Sequence, residues 1–152
     1  VVLGENCRLI GLPDWGSEPW LISIGNHTEV SFDVAFITHD GATWCFRDQD
    51  EYKGTLKFGR IRIGNNCFIG ARSTILPGVT IGDNSIVAVG AVVNKSIPSG
   101  EVWGGVPAHY IMKTKDYADK CKENTPIYDL ENYRKNFREE VNLICDRMEH
   151  SM

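Results

Sequence analysis

Four histidines are the side chains of this chain best suited to exchange a proton near neutral pH: His27, His39, His109 and His150. A single histidine acts as a general base or acid, whereas zinc chemistry asks for three convergent ligands. His27 and His39 are twelve positions apart, which places them on different faces of the repeat read below, and no His cluster is present. Five cysteines, an odd count without a CxxC pair, make a disulfide framework and a structural zinc site poor readings. Reduced thiols in a cytoplasmic protein are the simpler one. None stands as a nucleophile: Cys67 falls in a small interior or corner slot of the repeat, and Cys7 in a similar one.

The elements that must position these side chains come from a period. Ile63, Ile69, Ile75, Ile81, Val87 and Val93 recur every six residues. Ile and Val fill 26 of 152 positions, so chance gives such a run about 2 times in 100,000 for a given start. The residues four further on, Cys67, Ser73, Val79, Ser85, Ala91 and Ile97, are small or apolar. Six matches neither the 3.6 period of a helix nor the 2 of a strand. It suits a short strand followed by a tight bend, with three units closing one triangular coil. Residues eighteen apart then stack at ~4.8 Å, so Ile63 lies under Ile81, Ile69 under Val87 and Ile75 under Val93. The expected class is an all-β solenoid.

The same unit opens at Leu3-Gly4 and Ile24-Gly25, with Val30 and Phe36 in step. Residues 11–20 interrupt the register, and residues 39–62 form a longer insertion that starts at His39; a long insertion in a solenoid is usually a functional loop on one face. The repeat is expected to end near Pro98. A short helix is expected over residues 113–121. From Asp129, a plausible N-cap, Leu130, Tyr133, Phe137, Val141, Ile144 and Met148 recur at helical spacing. The domains are thus 1–112, a β-helix carrying the 39–62 loop, and 113–152, a helical extension. A net charge of −4 argues against nucleic acid as the main partner. No apolar run is long enough to span a membrane, and no charged-then-apolar leader is expected among the residues given. The first residue is Val1, so an upstream segment is left open.

The string IRIGNNCFIGARSTILPGVTIGDNSIVAVGAVVNKSIPSGEVWGGVPAHYI (61–111) resembles the core of the hexapeptide-repeat galactoside, maltose and serine O-acetyltransferases and of the xenobiotic acetyltransferases. FITHDGATWCFR (36–47) resembles acetyltransferases of polysaccharide biosynthesis. The likeness covers roughly residues 1–113. It implies a left-handed parallel β-helix, a homotrimer with sites between subunits, acetyl-CoA as co-substrate, a sugar-like acceptor, and no metal.

Residue by residue, the resemblance places the general base at His39; a loop histidine capping a turn is the plain alternative. Glu18 aligns loosely with an acidic acceptor-binding position, and ranks above Asp40, which is next to the base and also suits a turn. Trp44 and Arg47 either wall the acceptor site or pack against neighbours. Backbone contacts to the pantetheine arm fall near Ala71, Val89 and Asn94. Phe68 stands where relatives carry Trp beside that arm, or is simply an outward residue. Lys95 and Lys113 match basic positions near the nucleotide phosphates. His109 either contacts phosphate or is structural, and His27 reads as a surface turn. With no cysteine nucleophile, direct attack of the acceptor on the thioester is expected. The competing readings are a carbonic anhydrase-like metal enzyme and a non-catalytic trimeric scaffold. Serine acetyltransferase is a third, but its helical N-terminal domain has no counterpart in this sequence.

Overall fold

The computed structural model describes residues 1–152. They divide into two compact units, Val1–Thr114 and Lys115–Met152, each considered by itself.

In the first unit the strands, most of them carrying Ile, Val or Thr, are only two to five residues long, because each is stopped by a turn. In chain order they are β1 (Val2–Leu3), β2 (Arg8–Leu9), β3 (Ile22–Ile24), β4 (Glu29–Val30), β5 (Ala35–Phe36), β6 (Ile61–Ile63), β7 (Phe68–Ile69), β8 (Thr74–Ile75), β9 (Thr80–Ile81), β10 (Ile86–Val87), β11 (Val92–Val93), β12 (Glu101–Gly104) and β13 (His109–Lys113). Successive strands from β1 through β11 visit three sheets in turn, save one place after β2 where the strand is reduced to a single bridge, Asp14 with Ala35. Stacked strands are parallel, and the register pairs Ile63 with Ile81, Ile69 with Val87 and Ile75 with Val93. These residues, and those four positions further on, are buried. Each fully buried Ile or Val contributes about 1.5–3 kcal/mol, so the period is a direct imprint of the core.

One corner repeats in every coil. Asn6, His27, Asn66 and Asn84 all sit at φ between 52 and 57°, a left-handed conformation that Asn tolerates better than most residues. Their neighbours knit the coils together: the Asn26, Asn65 and Asp83 side-chain oxygens accept from the N–H groups of Glu5, Asn26 and Asn65 at 2.8, 2.8 and 2.7 Å.

One expectation about the solenoid changes and another is extended. The interruption at 11–20 is narrower than the sequence suggests. Trp15 keeps an inward slot and stacks on Phe36 with ring centroids 5.0 Å apart. The offset between Leu3 and Ile24 is 21 positions instead of 18, so three extra residues are accommodated after Trp15. Gly16 opens that detour at φ +67°, where a Cβ would stand 2.9 Å from the Phe36 carbonyl. The repeat ends near Pro98 as expected, but the stacking of strands outlasts it. The six-residue period lapses there, but β12 still joins β10 in parallel, with Ile86 opposite Val102, before β13 turns back antiparallel. The larger insertion adds 21 residues, since Ile24 pairs with Ile63 at an offset of 39. It contains two short 3-10 turns, Gly41–Cys45 and Asp50–Tyr52.

Helix α1 spans Thr114–Asn124, three residues longer than expected at its C-terminal end. The continuous helix expected after Asp129 is instead two, α2 (Leu130–Lys135) and α3 (Phe137–His150), broken at Asn136. The Asp129 carboxylate does cap α2, accepting from the Asn132 N–H. The break has a physical cause. The buried Glu140 carboxylate accepts from the Asp129 N–H at 3.0 Å and from the Asn132 side-chain amide at 2.8 Å. In one straight helix, eleven residues would separate the two backbones by about 16 Å, so α3 must fold back.

Candidate active site

Both detours from the regular coil open at the same corner, where the chain passes from the sheet of β5 to the sheet of β3 and β6. The first carries Glu18, which precedes the 3-10 turn Pro19–Leu21. The second begins at His39, two residues after Ile37 hydrogen-bonds to the next coil. His39 Nδ1 lies 2.8 Å from Glu18 Oε2, with the imidazole 40% exposed and the carboxylate 16%. The Thr38 hydroxyl donates to the same oxygen at 2.6 Å. The Thr38 hydroxyl first, then the His39 ring, holds the Glu18 carboxyl below its ordinary value despite partial desolvation. A carboxylate that stays ionised fixes the Nδ1–H tautomer and leaves Nε2 for a reactant.

His39 lines a cleft of about 480 Å³ together with Ile37, Asp40, Gly41, Lys57, Leu76, Pro77 and Asn94. The Asp40 carboxylate accepts from the Ala42 N–H at 2.9 Å and the Lys57 ammonium at 3.1 Å; the N–H first, then the ammonium, depresses its pKa. Phe58 bridges His39 across the neck of the insertion, its ring centroid 5.6 Å from the imidazole.

Of the residues singled out in the sequence, Glu18, His39, Asp40 and Asn94 therefore meet at one corner. Trp44 and Arg47 stack on each other, guanidinium carbon 5.2 Å from the indole centroid, on the insertion and outside the lining of that cleft. Phe68 points outward from β7 into a separate concavity of about 330 Å³ shared with Arg8, His27, Glu29 and Asn66. Ala71 is buried and Val89 is 71% exposed at the corner after β7 and β10. Lys95 is exposed. His109 is exposed in the closing hairpin, with Nδ1 3.4 Å from the Pro107 carbonyl. Lys113 donates to Glu101 at 3.0 Å and lies over the Tyr110 ring. His27 occupies its left-handed corner with Nδ1 2.8 Å from Asn66 Oδ1. No three His, Cys, Asp or Glu side chains converge as metal ligands would.

Sequence reasoning passed over Thr38, Lys57 and Phe58. Adjacency to His39 was a usable signal for Thr38. Lys57 and Phe58 are brought in by the closing of a 21-residue insertion, and no local pattern announces that.

Comparison with known proteins adds the following. A family model described as the hexapeptide repeat of succinyl-transferase matches residues 60–95. Protein CapG of Staphylococcus aureus is 44% identical over 135 residues, covering 88% of this chain and 77% of CapG. The galactoside O-acetyltransferase of Escherichia coli K12 is 50% identical over 56 residues, 37% of this chain and 28% of that enzyme. Among solved structures, a maltose O-acetyltransferase from Clostridium difficile 630 superposes with a TM-score of 0.58 at 30% identity, covering 73% of this chain and 57% of the other. This chain thus spans less than two thirds of both sugar acetyltransferases.

Proposed function

The chain belongs to the hexapeptide-repeat acetyltransferases, and from that premise we propose that it moves an acetyl group from acetyl-CoA to a hydroxyl of a sugar-like acceptor in surface-polysaccharide assembly, with His39 as general base. The observation that carries this reading is the 2.8 Å contact between His39 Nδ1 and Glu18 Oε2 at the mouth of a cleft. It prepares the opposite ring nitrogen to take a proton. His39 Nε2 removes the acceptor proton as the hydroxyl oxygen attacks the thioester carbonyl. The tetrahedral oxyanion collapses, the carbon–sulfur bond breaks, and the imidazolium returns its proton to the departing thiolate. Glu18 remains ionised throughout and offsets the charge on the ring.

The coil is left-handed in this reading, and the active unit is a homotrimer. The separation of Phe68 from His39 into two concavities supports the second point. In such a trimer, a pantetheine arm lying beside Phe68 of one copy would reach the histidine cleft of another. Asn94 lines the histidine cleft, while Ala71, Val89, Lys95, His109 and Lys113 are assigned along the path of the cofactor. Trp44 and Arg47, outside the lining of that cleft, are assigned to the acceptor side of the insertion.

The test is a panel of sugars with acetyl-CoA, read by thiol release, beside calorimetric titration with CoA. His39→Ala is expected to lower turnover at least ~100-fold, as general-base losses do, with CoA binding retained. Undiminished turnover in that variant removes the mechanism, and absence of CoA binding in the wild type removes the enzyme.

A further inference from the structure

We propose that Thr38 is a positioning residue for this transfer: its hydroxyl clamps the Glu18 carboxylate in the one place from which that carboxylate can orient His39. The inference rests on the reading of His39 as base and adds a third member to the pair.

Thr38 is 1% exposed, and its hydroxyl meets Glu18 Oε2 at 2.6 Å while His39 Nδ1 approaches the same atom at 2.8 Å. Two donors on one oxygen fix the carboxylate in two directions, which a single contact does not do. The hydroxyl is itself well aimed, because a β-branched side chain has few χ1 choices and its backbone is tied down where the Thr38 carbonyl accepts from the Gly59 N–H at 2.9 Å.

The repeat does not explain this threonine. Phe36, Ile75 and Val93 occupy one inward ladder, so the positions equivalent to Thr38 on the following coils are Pro77 and Lys95. Neither carries a hydroxyl, and neither is buried. Only in the coil flanked by both detours is a hydroxyl enclosed at this place, and it is directed at the detour residue Glu18. The other charged groups near the ring, Asp40 and Lys57, face it from the insertion side and pair with each other. Thr38 is therefore the donor besides the base itself that holds Glu18. Burial of this carboxylate without it would leave Oε2 with a single partner, and a charged acceptor loses more on losing a hydrogen bond than a neutral one.

The experiment uses Thr38→Val, which deletes the hydroxyl at nearly constant bulk, Thr38→Ala, which deletes it together with the γ-methyl, and Thr38→Ser, which restores it. The Glu18 carboxyl carbon is followed by NMR titration, and kcat and the KM for acetyl-CoA are measured with a sugar turned over by the wild type. In both deletions the Glu18 titration midpoint is expected to rise and kcat to fall about 10-fold, with KM for acetyl-CoA within about twofold; serine recovers both. A Glu18 midpoint and kcat equal to wild type in a folded deletion variant overturn the proposal. His39→Ala keeps the two levels apart. If it retains turnover, the base assignment falls and Thr38 with it. If it is inactive while the Thr38 deletions behave as wild type, only the positioning role falls.

Discussion

Asp40 and Lys57 close the neck of the 21-residue insertion twice: the Asp40 N–H donates to the Lys57 carbonyl at 2.9 Å, and the Lys57 ammonium donates to Asp40 Oδ2 at 3.1 Å. The Asp40 carboxylate also caps the Gly41–Cys45 turn. The ammonium is two-thirds exposed, so solvent screening leaves the ion pair weak, and the cap is the stronger of the two side-chain contacts. Asp40→Ala is therefore expected to speed amide exchange at the neck and to slow turnover several-fold, by roughly one hydrogen bond's worth. Asp40→Asn, which keeps an acceptor for the Ala42 N–H, should be milder, and Lys57→Met milder still. Equal effects of all three on exchange would show that the charge pair, not the cap, holds the neck.

Phe36 is the largest fully buried side chain, 0% exposed, between Trp15 on one side and Ile75 on the other. Phe36→Ala should cost ~3–5 kcal/mol in urea unfolding, and the Trp15 fluorescence should shift to the red as water reaches the indole. A loss below ~1 kcal/mol would mean that the first coil is already loose in solution.

The regular part of this architecture was legible because each coil writes the same constraint into the sequence. Ile63 through Val93 are spaced by the geometry of the core itself, and the predicted stacking partners are the observed ones. Trp15 was missed as a core residue because a single indole among Gly, Pro and Ser reads as loop, while its partner Phe36 lies 21 positions away instead of 18. β12 was missed because its offset from β10 is 16, so the period search loses it although the sheet does not. At the site, His39 and Glu18 were both in view, but their contact depends on two detours opening at one corner, and detours carry no period. The break at Asn136 follows from the pull of Glu140 on the start of α2, a tertiary contact that overrides an unbroken apolar stripe.

Acid sensitivity should have a local origin at Glu18. Its carboxyl is held below the ordinary value by the Thr38 hydroxyl first and His39 second. A lowered folded pKa contributes stability that is fully present above the unfolded value and disappears as the pH falls through the folded one. The melting temperature should thus begin to drop as the pH passes below about 4.3, the usual glutamate value, and part of that slope should be absent in Glu18→Gln. The same substitution leaves the Nδ1 tautomer of His39 unenforced and is expected to lower kcat by ~10-fold or more, with CoA binding unchanged in calorimetry. A Glu18→Gln variant with wild-type turnover would assign the carboxylate to structure alone.

Glu140 offers the corresponding experiment in the helical unit. It is 2% exposed. The Asn132 amide and then the Asp129 N–H hold it ionised below its ordinary value, with Arg147 Nη1 a further 3.5 Å contact. Arg147 also donates to the Ile127 carbonyl at 2.9 Å, so one side chain ties the segment before α2 to α3. Glu140→Ala removes the acceptor for the Asp129 N–H and the Asn132 amide together, and buried donors left without partners are costly. The break between α2 and α3 should then open more often, freeing the backbone beside the already exposed Arg134 and Lys135 for trypsin. Limited proteolysis is expected to cleave there about 10-fold faster than in the wild type, since cleavage tracks the population of the open form. An unchanged cleavage rate in Glu140→Ala would mean that the Tyr128–Tyr133–Phe137 ring cluster, and not the carboxylate, folds α3 back on α2.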